Sequence, residues 1–152
     1  AAPPEPTTML APGLVCLSAK QTQEARAGTE ARLERLLETR AKQPAFAEAY
    51  VGALVNCAHH QTKETEIRQT LFRSRQMLTL HPEDQEIQLY HAMTWFNLTL
   101  RQAEDAIPAT LRELAAYLRQ HAAVIPEFRK QLDIYLSEHP EQRERYQPLF
   151  EL

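Results

Sequence analysis

The hydrophobic positions from residue 17 to residue 152 recur with the spacing of amphipathic helices. Ile107, Leu111, Leu114 and Leu118 are separated by four, three and four residues, so they share one face of a helix. Alternating β-branched runs are missing, and no Asn-Gly or Asp-Gly hairpin signal occurs. The pattern predicts a single all-α domain of six or seven helices.

Prolines and capping residues divide this pattern into segments. Pro44, Pro82 and Pro126 each follow one amphipathic segment and open the next, where a missing backbone N–H is tolerated. The connections are short, so successive helices are expected to pack as antiparallel hairpins. The predicted helix-start signals are Ser18 with Gln21, Pro44, Thr62, Pro82 with Asp84, Asp105, Pro126 and Pro140, with Pro148 ending the last helix.

The segment from residue 87 to residue 100 is the most hydrophobic part of this pattern. Nine of its fourteen residues are apolar, which is more than one buried face of a surface helix requires. We therefore expect it to be the central helix of the core. In the preceding helix, the predicted core positions are Ile67, Leu71, Phe72 and Leu78.

The helical hairpins repeat along the chain, since the three prolines are 38 and 44 residues apart. The segment MLTLHPEDQEIQL, from Met77 to Leu89, resembles the junction between two tetratricopeptide repeats. The bulky and small positions of that family's first helix fall on Tyr50 and Leu54, Gln88 and Ala92, and Leu132 and Leu136. The resemblance spans roughly residues 18 to 138 and implies an α-solenoid of antiparallel helical hairpins.

The resemblance also implies a function. Tetratricopeptide-like proteins are scaffolds or adaptors that bind a peptide or a partner helix in a groove, here lined by the second, fourth and sixth helices. We therefore expect a protein or peptide partner, and a homodimer is left open. The candidate partner-binding residues are Tyr50, Asn56, Gln88, His91 and Tyr135.

Two other functions remain open on the sequence. A regulatory or sensor domain of a larger protein would bind a small ligand between hairpins near His91 and Trp95. A secretion or assembly chaperone would work as a dimer. A rise in melting temperature with small molecules would favour the sensor, whereas co-purification of a defined protein would favour the adaptor.

Composition narrows the classes of function. The 152 residues carry a formal net charge of −3, without the basic excess typical of a nucleic-acid platform. No apolar run approaches the roughly 18 residues that span a bilayer. The three glycines do not form a phosphate-binding loop. We expect neither a nucleic-acid partner nor a membrane span.

The strongest cluster of potential metal ligands is Cys57, His59 and His60. Thiolate and imidazole groups bind zinc, and the more distant His81 or His91 could complete a tetrahedral site. However, these side chains diverge at the end of a helix and no second paired motif occurs. Ser74 and the other serines lack the context of a catalytic nucleophile. We expect no metal, no cofactor and no enzymatic activity.

The N-terminal segment 1–16 contains four of the ten prolines and no lysine or arginine, which predicts an extended chain. The sequence starts at Ala1, which fits either a processed secreted or periplasmic protein or an excised domain, so a cytoplasmic location also stays open. Cys16 and Cys57 either pair in an oxidising compartment or remain buried thiols. The second interpretation is preferred, because free cysteine behaves as a small apolar residue.

Overall fold

The computed structural model describes Cys16 and residues 23–152. All regular structure in these residues is helical, which confirms the predicted all-α class for them. None of the described helices combines the length and hydrophobicity that crossing a bilayer requires. The signal at Ser18 and Gln21, and the extended chain predicted for residues 1–15, lie outside the described residues. The six α-helices of the described residues are α1 (Gln23–Arg40), α2 (Pro44–His60), α3 (Glu64–Leu80), α4 (Gln85–Thr99), α5 (Ile107–Gln120) and α6 (Ile125–Glu138).

The three repeated prolines mark the starts of α2, α4 and α6, as predicted. Pro44 is the first residue of α2, and Pro126 is the second residue of α6. Pro82 precedes α4 by three residues, and Asp84 caps that helix. The Asp84 carboxylate accepts a hydrogen bond of 3.1 Å from the backbone N–H of Ile87, which satisfies one free donor of the first turn.

Two predicted caps are wrong. α3 follows Lys63 rather than Thr62, and no side chain caps it. Asp105 lies inside a 3₁₀ turn, Glu104–Ala106, that continues directly into α5. That turn supplies backbone acceptors ahead of the helix, so a side-chain cap is not required.

The predicted seventh α-helix is replaced by two 3₁₀ turns, Pro140–Gln142 and Gln147–Phe150. The residues between Pro140 and Pro148 are too few for a stable run of α-helical hydrogen bonds. The segment nevertheless completes the core, because Tyr146 and Leu149 are fully buried.

Helix α4 is the central element, as its hydrophobicity predicted. It packs against α2, α3, α5 and α6. On α5, the four periodic residues Ile107, Leu111, Leu114 and Leu118 are all buried against this centre. A smaller core lies between α1 and α2, where Leu33 packs with the residues around Phe46.

The buried residues of α4 are partly polar, which the hydrophobic pattern did not predict. Gln88, Thr94 and Asn97 are buried, whereas Met93 and Phe96 are only half-buried. Thr94 and Asn97 donate to backbone carbonyls one turn earlier in the same helix. Because α4 has neighbours on most sides, its polar side chains are buried and satisfied locally.

One predicted core position on α3 is wrong. Phe72 is 60% exposed, and Leu78 is only half-buried. The buried positions of the helix include Ile67, Leu71 and Ser74. These lie three or four residues apart on one face, whereas Phe72 falls outside that spacing.

The two cysteines form a disulfide, so the preference for unpaired thiols is wrong. Cys57 lies near the end of α2, and its Cα atom is 5.2 Å from that of Cys16. The bond ties the chain before α1 to α2 across a sequence separation of 41 residues. Sequence spacing cannot reveal such a pairing, because it depends on which distant segments the fold brings within reach of each other.

Candidate functional site

Two grooves lie on opposite faces of α4. Met93, Phe96 and Leu100 share one face, while Trp95 and Leu98 share the other, as the helical period requires. The first face meets α6 and the end of α2, and we call this surface the α4–α6 groove. The second face lies between α3 and α5, and we call it the α3–α5 groove.

The α4–α6 groove is mainly apolar and has a volume of about 210 Å³. The ring of Phe96 lies edge-to-face with Tyr135 and Phe128, at centroid distances of 5.3 and 6.4 Å. Ile134 lies at the margin and is 58% exposed. His59, at the end of α2, adds a polar group to the rim. This composition suits an apolar side chain of a partner.

The α3–α5 groove is larger, about 500 Å³, and has charged walls. Trp95 forms its floor. On the α3 side, Phe72 is exposed beside Arg75, whose guanidinium carbon lies 5.9 Å from the centroid of the Trp95 ring. On the α5 side, Thr110 and Glu113 line the groove. The groove therefore combines exposed aromatic surface with charges of both signs.

Two of the five predicted partner-binding residues are accessible. Tyr135 lines the α4–α6 groove, and its hydroxyl donates to Gln142 at 2.9 Å. Asn56 is exposed on α2, one turn before His59, so it borders the same region. Their role in binding a partner stays a prediction.

The other three predicted residues are buried and have partners within the chain. The Tyr50 hydroxyl accepts a 2.9 Å hydrogen bond from Arg73, and burial raises the pKa of Tyr50. The side-chain amide of Gln88 donates to the Pro82 carbonyl at 2.8 Å. His91 is 1% exposed. Burial leaves these residues almost no surface for a partner in this structure.

His91 forms a buried pair with Ser74 that the sequence did not suggest. The Ser74 hydroxyl lies 2.5 Å from Nδ1 of His91 and also donates to the Leu71 carbonyl at 2.9 Å. Burial, with smaller effects of Arg75 and His121, lowers the pKa of His91 to about 3. A serine nucleophile must reach its substrate, and Ser74 is fully buried, so this pair supports packing rather than catalysis.

The histidines near Cys57 do not form a metal centre in the described part of the chain. Cys57 is bonded to Cys16, so its sulfur is not a free thiolate. His81 is engaged elsewhere, since its Nε2 lies 2.7 Å from the Ala41 carbonyl. Among the described residues, no three His, Cys, Asp or Glu side chains are grouped to hold a metal ion.

Three carboxylates meet where α2 and α4 begin. A hydrogen bond with Asp84, together with burial and the charge of Asp84, raises the pKa of Glu48 to about 7. Glu86 contributes in the same direction and accepts a hydrogen bond of 2.9 Å from the Tyr90 hydroxyl. Asp84 also caps α4 through the backbone N–H of Ile87, so this acidic cluster lies directly at the start of that helix.

The sequence did not identify Phe72 and Ile134 as exposed residues beside the two grooves. On α6 the buried residues are Phe128, Leu132 and Leu136, four residues apart, and Ile134 lies between them on another face. The available signal was a large apolar residue outside the buried stripe.

No protein-family model, curated protein or solved structure matches this chain. The two grooves are therefore interpreted from their own residues.

Proposed function

We propose that this protein is a non-enzymatic interaction module, a scaffold or adaptor of tetratricopeptide-like hairpins. Its α4–α6 groove holds an apolar peptide or helix of a partner protein. The groove involves α2, α4 and α6, the helices that the resemblance assigns to partner binding. The single observation that carries the proposal is the 58% exposed Ile134 beside an aromatic, mainly apolar groove.

The chemistry of the groove favours an apolar anchor. Phe96 and Tyr135 offer aromatic faces and edges, and Met93 offers an adaptable side chain. Burying an Ile134-sized side chain contributes on the order of 1.5–3 kcal/mol. His59 and Glu138 at the rim can orient a partner through polar contacts.

Replacing Ile134 with aspartate tests this proposal. In the full chain, Ile134→Asp should weaken partner binding by about tenfold or more, because the charge would have to be desolvated at the contact. The melting temperature should stay close to that of the wild type, since Ile134 is largely exposed. A photo-reactive amino acid at position 134 identifies the partner, and titration calorimetry with the purified partner measures the affinity.

Leu80→Asp is the matched control. Leu80 is 47% exposed at the end of α3 and does not line the α4–α6 groove. The control should bind the partner like the wild type. Equal losses in both variants, or no cross-linked protein at position 134, would contradict the proposal. If the cross-linked protein is a second copy of this chain, sedimentation analysis will show a dimer that Ile134→Asp dissociates.

A further inference from the structure

The α3–α5 groove is a second surface that the proposed function does not use. Trp95 of α4 and the exposed Phe72 of α3 both line it, and the Arg75 guanidinium lies over the Trp95 ring. Covering Phe72, which is 60% exposed, is energetically favourable because burial removes apolar area from water. The α4–α6 groove lies on the opposite face of α4, so occupation of one groove is separable from occupation of the other.

The length of the α3–α5 groove suits a short helix. Its α3 wall runs from Arg68 to Arg75, seven residues apart, which corresponds to roughly 10 Å or two helical turns. On the α5 wall, Ala109 and Thr110 present small side chains. Small residues let a second backbone approach closely, and the 500 Å³ volume extends along both walls.

The charges of the two walls determine the chemistry of the occupant. Among the described residues, Arg75 has no carboxylate partner and lies over Trp95, while Arg68 pairs with Glu64 at 2.8 Å. Glu113 on α5 likewise has no cationic partner within the described chain. A cation on one wall and an anion on the other complement a helix with the opposite charges on its two flanks.

We infer that the α3–α5 groove binds a short amphipathic helix of a partner protein. An aliphatic stripe of that helix covers Phe72 and Trp95. A carboxylate on one flank pairs with Arg75, and a basic residue on the other flank faces Glu113. Arg75 is suited to this role, since a planar guanidinium can donate hydrogen bonds to a carboxylate while remaining over an aromatic ring.

Trp95 reports occupation of this groove directly, because it is the only tryptophan of the chain. The probe is a synthetic alanine-rich peptide of about 15 residues, long enough to be helical. It carries leucines at helical spacing, glutamates along one flank and lysines along the other, and no aromatic residue. The expected result is a saturable change in Trp95 fluorescence that weakens as salt is raised.

A charge-swap cycle tests the assigned pairing. A second peptide carries lysines along both flanks. It should bind about tenfold more weakly than the original peptide. Arg75→Glu should weaken binding of the original peptide to a similar degree and improve binding of the all-lysine peptide. Phe72→Ala should weaken binding of both peptides, and its exposure makes a folding defect unexpected.

Ile134→Asp is the control, and it should bind the original peptide with unchanged affinity. This control distinguishes the inference from the proposed function, because binding at each groove is tested by a separate experiment. Equal affinity for the two peptides, or loss of binding in Ile134→Asp, would overturn the inference. A saturable response to cyclohexanecarboxylate without any response to the peptide would also overturn it, in favour of a small-ligand site.

Discussion

At the scale of a single residue, burial changes the protonation of His91 by a large amount. Its imidazole packs at 5.7 and 5.2 Å from the rings of Trp95 and Tyr117, and it contacts the Ser74 hydroxyl. Burial lowers the pKa of His91 from 6.5 to about 3. The unfolded chain therefore binds a proton below pH 6.5, whereas the folded chain does so only near pH 3. Stability from this residue is complete above pH 6.5 and is lost progressively as the pH falls toward 3.

The lowered pKa of His91 leads to a measurable pH dependence of stability. Between pH 7 and pH 5, the wild type should lose about 2 kcal/mol of unfolding free energy beyond the loss in His91→Gln. Urea unfolding of both proteins at the two pH values measures the difference, independently of any change at pH 7 itself. His60→Gln, at an exposed position of α2, should lose stability like the wild type. Identical pH dependence in His91→Gln and the wild type would show that His91 is not the group responsible.

At the level of elements, α1 is held by few buried side chains and by the disulfide. Leu33 is buried, and Leu36 and Leu37 are only partly buried, so the apolar contact with α2 and α3 is limited. The Cys16–Cys57 bond closes a loop that contains all of α1. Such a bond stabilises the fold chiefly by restricting the unfolded chain.

Removing this bond should destabilise the domain and loosen α1. Cys16→Ala should lower the unfolding free energy by about 2–4 kcal/mol, given the length of the closed loop. Amide hydrogen exchange should accelerate in α1 more than in α5, whose core residues do not depend on the bond. Dithiothreitol should reproduce the effect in the wild type and leave Cys16→Ala unchanged. A variant as stable as the oxidised wild type would disprove a structural role for the bond.

At the scale of the whole molecule, the segment after α6 completes the hydrophobic core. The Tyr146 hydroxyl lies 2.9 Å from the Thr99 hydroxyl, and the Tyr146 ring packs 5.0 Å from Phe96. Leu149 is fully buried in the same core, and Arg129 of α6 donates to the Phe150 carbonyl. The last residues therefore join α4, α5 and α6 into one core.

Truncating Leu149 tests this arrangement. Leu149→Ala should cost about 2–5 kcal/mol of unfolding free energy, the usual range for a buried leucine. Chemical denaturation followed by Trp95 fluorescence measures it, because that residue lies in the same core. Glu151→Ala changes an exposed neighbour and should have almost no effect. A loss below about 0.5 kcal/mol for Leu149→Ala would indicate that this segment is not part of the core.

The helices themselves were determined by the sequence. The apolar spacing of α5, the prolines that begin α2 and α6, and the Asp84 cap all act within a few residues of chain. Their hydrogen bonds and steric preferences are local, so the all-α class and the central position of α4 followed from the pattern.

The surroundings of each helix were decided only by the tertiary structure. Gln88 and His91 are buried because neighbouring helices cover the polar positions of α4, while Phe72 is exposed because its angle on α3 points away from them. The Cys16–Cys57 bond and both grooves arise the same way, from segments distant in sequence. Helical periodicity fixes which residues share a face, but packing between helices determines which faces water reaches.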